Sequence, residues 1–261
     1  MIEPGITIRS ASVVIGGRTL LSGVELQLRP GELVAIVGRN GAGKSTLLRL
    51  LAGLLRPSRG EVALAGRPLR AYSARERAQR LGFLAPSRLP VPAGFTVRQV
   101  VGLMRFGHHS WWRATGADDV TVATAIAGLG LDAFVERRLE TLSDGERQRV
   151  WLAGLLAQET AYVLLDEPTS HLDPPHAIES LQTVRSWATA GRGVAIVLHD
   201  LDAALAIADR LVLVDAGRIV LDEPVASVAL DVLGHRLGVR LAEVALDGRR
   251  RVITQDLWGV Q

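Results

Sequence analysis

Thirty residues of this 261-residue chain are lysine or arginine, and only one of them, Lys44, is lysine. It lies in Gly38-Arg39-Asn40-Gly41-Ala42-Gly43-Lys44-Ser45-Thr46, and Gly38 to Ser45 fits GxxxxGK[ST] at every position. A compact ammonium on a flexible stem can reach a phosphate oxygen from within a tight loop, where a planar guanidinium would not fit. Glycines 38, 41 and 43 let backbone N–H groups curl around β- and γ-phosphates, and the helix N-terminus that follows adds a favourable dipole. The whole stretch from Gly38 to Thr46 is therefore the candidate nucleotide-binding segment, with the Ser45 hydroxyl suited to Mg²⁺. A second group is Asp166-Glu167, which ends the apolar run Tyr162-Val163-Leu164-Leu165. At the carboxyl edge of a buried strand, Asp166 suits the Mg²⁺ shell through water, and Glu167 can polarise a water for in-line attack on phosphorus.

These groups need a rigid frame. Leu33 to Val37, Tyr162 to Leu165, Val194 to Leu198 and Leu211 to Val214 are continuous apolar runs, the pattern of parallel strands buried on both faces. Helical stretches alternate with them at Lys44 to Leu55, Pro175 to Ala190 and Leu201 to Ala208, which makes the core βαβ-type. Ahead of it, Ile6 and Ile8, then Val24, Leu26 and Leu28, and later Val62 and Leu64, alternate as half-exposed antiparallel strands do. From about Tyr72 to Ala157 the pattern turns helical, with a loop marked by Pro86, Pro90, Pro92 and Gly94. A short helix and a hairpin at Asp247-Gly248 close the chain. The expected division is one composite domain: β layer and phosphate loop to residue 70, a helical subdomain over 71–157, the rest of the core over 158–224, and an appendage over 225–261.

Composition narrows the function classes. Formal charge is +3, and the pI of about 10.1 follows from having no Cys, one Lys and two Tyr to titrate between His and Arg. It is no sign of nucleic-acid binding, and Arg249-Arg250-Arg251 reads as a solvated turn. Without cysteine there is neither a disulfide framework nor a thiolate metal site. No basic start followed by an apolar stretch marks a signal peptide, and apolar runs fall far below the roughly 20 residues of a membrane span. A membrane role would come through a partner. His108-His109 and Trp111-Trp112 invite a metal reading, but two adjacent histidines without further ligands fit an exposed or partner-facing loop better.

Leu142-Ser143-Asp144-Gly145-Glu146-Arg147-Gln148-Arg149 opens another helix, with Ser143 and Glu146 spaced as a capping box. That reading is structural, although a helix N-terminus carrying a serine hydroxyl and a glycine is also an anion site. In this context the chain resembles the ATP-binding cassette (ABC) ATPases. The LSDGE run is similar to their LSGGQ signature, and the motif order agrees over nearly the full length: phosphate loop, helical insertion, signature, Asp166-Glu167, the D-loop Ser170-His171-Leu172-Asp173, then His199. The resemblance implies a P-loop NTPase cassette with a RecA-like parallel-sheet core, an N-terminal antiparallel layer and a helical subdomain, using ATP and Mg²⁺. It also implies head-to-tail pairing of two cassettes, in which Ser143, Asp144, Gly145 and Glu146 of one subunit cap the ATP held by Lys44 of the other. Glu167 and His199 would then be catalytic, with His199 at the γ-phosphate, and Asp173 would couple the two sites.

Two positions depart from the family pattern. Pro86 stands at or near the place of a glutamine that follows the strand into the helical insertion, and it can neither ligate Mg²⁺ nor donate from its backbone; Ser87 or water could substitute. Ile15 stands near the place of an adenine-stacking aromatic, leaving an apolar face with weaker stacking.

A single motif set without a fused membrane segment points to a separate ATPase subunit of an importer, at the cytoplasmic face of the cell membrane. Thr96 to Val101, Leu142 to Val150 and His199-Asp200-Leu201-Asp202 look most similar to ATPases of iron-chelate (siderophore), haem and cobalamin importers. Implied partners are a second cassette, permease subunits docking around Pro86 to Arg113, and an extracytoplasmic binding protein, with no nucleic acid. The alternatives are a soluble ABC ATPase acting on nucleic acid or ribosomes, a binding-only regulatory cassette, and an unrelated P-loop motor.

Overall fold

The apolar runs assemble where their burial demands. In the computed structural model, which describes residues 5–85, 91, 93–107, 116–170, 172–246 and 249–255, the first three strands are β1 (Ile6–Ile15), β2 (Arg18–Leu28) and β3 (Leu33–Val37). The phosphate loop leads into α1 (Lys44–Leu51), followed by β4 (Arg59–Leu64), β5 (Arg67–Pro68), α2 (Ala74–Ala78) and β6 (Leu81–Leu84). Three helices come next: α3 (Val97–Met104), α4 (Gly116–Gly128) and α5 (Asp144–Ala157). The core then resumes with β7 (Tyr162–Asp166), α6 (Pro174–Thr189), β8 (Gly193–Val197), α7 (Leu201–Ile207), β9 (Arg210–Asp215) and β10 (Arg218–Pro224). The last elements are α8 (Leu230–Leu237), β11 (Arg240–Leu246) and β12 (Arg249–Gln255).

The main sheet has the order β10-β9-β3-β8-β7-β6, parallel except for the edge strand β10. Strands β3, β7 and β8 are buried along their whole length because successive side chains feed two different cores. Leu33, Ala35 and Val37 of β3 join α3 to α6 in one core, while Val34 and Ile36 join α1 and the antiparallel layer in the other. That layer runs β2-β1-β4-β5, and the alternating residues Ile6, Ile8, Val24, Leu26, Leu28, Val62 and Leu64 all turn inward.

Differences from the sequence reading have local causes. Helix α1 stops at Leu51 rather than Leu55, because the chain swings at Gly53 (φ 68°) where the Leu69 side chain packs against it. Within the stretch whose pattern turns helical from Tyr72 onward, Leu81–Leu84 is the strand that the family resemblance places ahead of Pro86, and it joins the main sheet as its edge strand beside β7; four residues are too few for a period to show. The exposed edge strand β10 lies outside the strands expected from the sequence. Helix α8 and the antiparallel β11–β12 pair come last, tied back to α7 by Val252 N–H donating to Asp202 (2.9 Å). Pro86, Ser87, Pro90, Pro92, His108, His109, Trp111, Trp112, Arg113, His171 and the Asp247-Gly248 turn lie outside the described residues. No helix among the described residues is long and apolar enough to cross a membrane.

Candidate nucleotide site

The loop between β3 and α1 is shaped before any ligand arrives. Gly38 takes φ 146° against β9, where an added Cβ would lie 2.1 Å from the Val214 carbonyl oxygen, so only glycine fits. Gly217 N–H donates to the Ala42 carbonyl (2.9 Å) and fixes the loop's far side. Lys44 folds back over it, its Nζ donating to the carbonyls of Gly38 (2.7 Å) and Arg39 (3.0 Å). An ammonium has three donors, so one remains for a ligand oxygen. Lys44 is only 5% exposed. Burial lowers its pKa from the ordinary lysine value, opposed by the negative charges of Glu167 and Asp166.

The two carboxylates at the end of β7 have opposite surroundings. Asp166 is buried, and its Oδ1 accepts from the Ser45 hydroxyl at 3.0 Å, while its Oδ2 is buried with no partner. Desolvation raises its pKa above the ordinary carboxylate value, against the lowering effect of the Ser45 hydrogen bond. A shielded hydroxyl beside an unused carboxylate oxygen is a hard-oxygen donor set that suits Mg²⁺. Glu167 turns out of the strand in a left-handed backbone conformation (φ 53°), a strained state for a residue with a side chain. Its N–H donates to Val197 O (3.2 Å), and its carbonyl accepts from Ser170 N (3.2 Å) and Ser170 Oγ (2.8 Å), which hold the turn. The half-buried carboxylate lies 2.6 Å from His199 Nε2, just past the end of β8.

Asp173 caps α6, accepting from His176 N–H (3.3 Å) and from the His176 ring, whose hydrogen bond holds the Asp173 carboxyl below its ordinary range. At the start of α5 the capping box read from the sequence is complete: Glu146 N–H donates to Ser143 Oγ (3.2 Å) and Ser143 N–H to Glu146 Oε2 (2.7 Å). Ser143 and Asp144 are exposed, and Asp144 is paired with the Arg147 guanidinium at 2.6 Å.

A cavity of about 730 Å³ gathers Asn40, Gly41, Gly43, Lys44, Ser45, Thr46, Glu167 and His199. Its outer wall is Arg18, Thr19 and Leu20 from the start of β2 with Ala216 and Gly217 from the β9–β10 turn, residues that no motif marked. Ile15 is 51% exposed, paired with Arg18 across the β1–β2 turn, and is not among the described lining residues. Neither is any residue of Ser143 to Glu146, nor Asp173. A single chain thus unites the phosphate loop, Glu167 and His199, with the signature turn outside the described lining. A larger cleft of about 870 Å³, between α6 and α7, shares Glu167 and His199 as its wall.

Residues 21–170 match the family model of the ABC transporter. The chain belongs to the ABC transporter family. It is 43% identical over 247 residues to a hemin import ATP-binding protein HmuV of Rhodopseudomonas palustris (strain BisB18), covering 90% of each chain. A protein of the same name from Pseudomonas aeruginosa is 44% identical over 81% of this chain and 83% of its own. Among solved structures, an inward-facing transporter assigned to the metal-chelate type superposes with a TM-score of 0.83 at 22% identity, over 97% of this chain and 98% of the other. A dimeric cassette, MJ0796, superposes with a TM-score of 0.74 at 24% identity, over 84% and 98%. These likenesses show the cassette fold. The cassette is an ATP-binding ATPase subunit, and its α/β architecture is the one the motifs implied.

Proposed function

We propose that this cassette powers a haem importer, hydrolysing ATP as one of two paired cassettes on the cytoplasmic side of a membrane permease that an extracytoplasmic binding protein loads. The observation that carries the pairing is the signature turn, which is fully formed, with Ser143 and Asp144 exposed, yet outside the described lining of the Lys44 cavity. A second copy turned head to tail supplies that missing wall, with Ser143 and Gly145 offering a hydroxyl and N–H groups to the partner's γ-phosphate. The cargo reading rests on the hemin-import names of the relatives and narrows the iron-chelate expectation to haem rather than a siderophore.

The chemistry follows from the geometry. Lys44 and the loop N–H groups hold the β- and γ-phosphates, and Ser45 with Asp166 would hold Mg²⁺. Bound there, the ion would neutralise charge on the phosphate oxygens. Glu167 takes a proton from the attacking water as its oxygen bonds to phosphorus and ADP departs. His199, 2.6 Å from the same carboxylate, orients it and contacts the γ-phosphate. Asp173 relays the state of one site to the other across the pair. Growth tests the assignment: a host lacking the gene should fail on haemin as sole iron source, recover with the wild-type gene but not with Lys44→Ala, and still use ferric siderophores. Loss of siderophore use with haemin use intact would overturn the cargo.

A further inference from the structure

His176 belongs to none of the motifs, yet it touches two of them. Its ring Nδ1 is bonded to Asp173 Oδ1, and because a carboxylate can only accept, Nδ1 carries the proton. The same ring packs against Gly145 of the signature turn, where an added Cβ would stand 2.9 Å from His176 Cγ and 3.0 Å from Cδ2. Capping of α6 does not require the ring, since the His176 backbone N–H already donates to Asp173 at 3.3 Å. Asp173 in turn ends a turn bonded back to Glu167, through Ser170 to the Glu167 carbonyl and Leu172 N–H to Thr169 O (3.2 Å).

We propose that the His176 imidazole is a strut between the D-loop and the signature turn of one protomer, so that both elements reaching toward the partner's nucleotide move as one body with the Glu167 turn. His176 is thus a positioning residue: a shift of the Glu167 turn on hydrolysis is carried through Asp173 and the ring to Gly145, which relaxes the cap on the opposite nucleotide. The inference rests on the paired-cassette reading. It also explains why Gly145 has no room for a side chain even though the helix it opens would tolerate one.

The test compares three variants of the full chain. His176→Ala removes both contacts. His176→Asn keeps a donor near the place of Nδ1, and His176→Phe keeps a ring over Gly145 without a donor. With His176→Ala, kcat for phosphate release should fall about tenfold, as for a small misplacement of a reacting geometry. The Hill coefficient for ATP should fall toward one, while the dissociation constant for a fluorescent ATP analogue at dilute, monomeric protein stays within about twofold of wild type. Asn should recover most of the lost kcat and Phe should not. Wild-type kcat and cooperativity in His176→Ala, or Phe recovering more than Asn, would overturn the strut. If His176→Ala does not fold, the Asn and Phe variants decide the matter by the same comparison. ATP-driven dimerisation of Glu167→Gln, measured in parallel by size exclusion, separates the two levels: a monomer there defeats the paired reading, whereas a dimer with an indifferent His176 defeats only the strut.

Discussion

Replacing Glu167 by Gln isolates the proton acceptor while leaving its surroundings in place. The side chain keeps its length, the turn held by Val197 and Ser170 is unaffected, and an amide can still bond His199 Nε2 across the 2.6 Å gap. What is lost is a base for the attacking water. General-base contributions of about two to four decades correspond to about 2.7–5.4 kcal/mol of barrier at about 1.36 kcal/mol per decade, so kcat should fall between about a hundredfold and ten-thousandfold. Binding should move the other way, since the Glu167 carboxylate lines the cavity that receives the polyphosphate: ATP affinity holds or tightens. Phosphate release and nucleotide titration together read both effects, and ATP-bound dimer should accumulate on a sizing column. A kcat within about threefold of wild type would refute Glu167 as the base, because an orienting contact alone survives the amide.

Three further outcomes follow from the same geometry. Lys44→Arg should weaken ATP-analogue binding at least about tenfold by titration, because a guanidinium cannot sit between the Gly38 and Arg39 carbonyls as the ammonium does. Asp166→Asn should raise the melting temperature of the nucleotide-free protein while abolishing Mg²⁺-dependent turnover. Burial raises the Asp166 pKa above the ordinary value of 3.8, so the wild type is penalised only where the unfolded carboxyl ionises more readily than the folded one. The Asn advantage is therefore absent below pH 3.8, grows as pH rises, and levels off above the folded pKa. Finally, Arg147→Ala should remove one neutralising contact of the Asp144 carboxylate and raise KM for ATP about fivefold at low salt, less at high salt. Adding Asp144→Gly should cancel the effect.

Much of this site could be read from the chain because its parts are local. The phosphate loop, the acidic strand end and the Ser143-Glu146 capping box are each contained within a few residues, and strands buried on both faces announce themselves as unbroken apolar runs. What was hidden is assembled across long separations. Arg18 to Leu20 and Ala216-Gly217 meet at the cavity rim only after the β1–β2 and β9–β10 hairpins stack on either side of the loop, and nothing in their composition differs from ordinary turns. The place assigned to an adenine-stacking aromatic shows the same limit: Ile15 lies near the expected position in the sequence, yet across the hairpin it is Arg18 that lines the cavity. His176 went unnoticed because its two contacts belong to different motifs, one of them the bare face of a glycine.

The chain's lack of cysteine gives the central claim a clean test. With Asn40→Cys and Asp144→Cys placed in the Glu167→Gln background, both at exposed positions, oxidation in the presence of ATP and Mg²⁺ should yield a covalent dimer on a non-reducing gel, and little without nucleotide. A protein that binds ATP yet remains monomeric under these conditions, or closes the bond within one chain, would contradict nucleotide held between the loop of one copy and the signature turn of another.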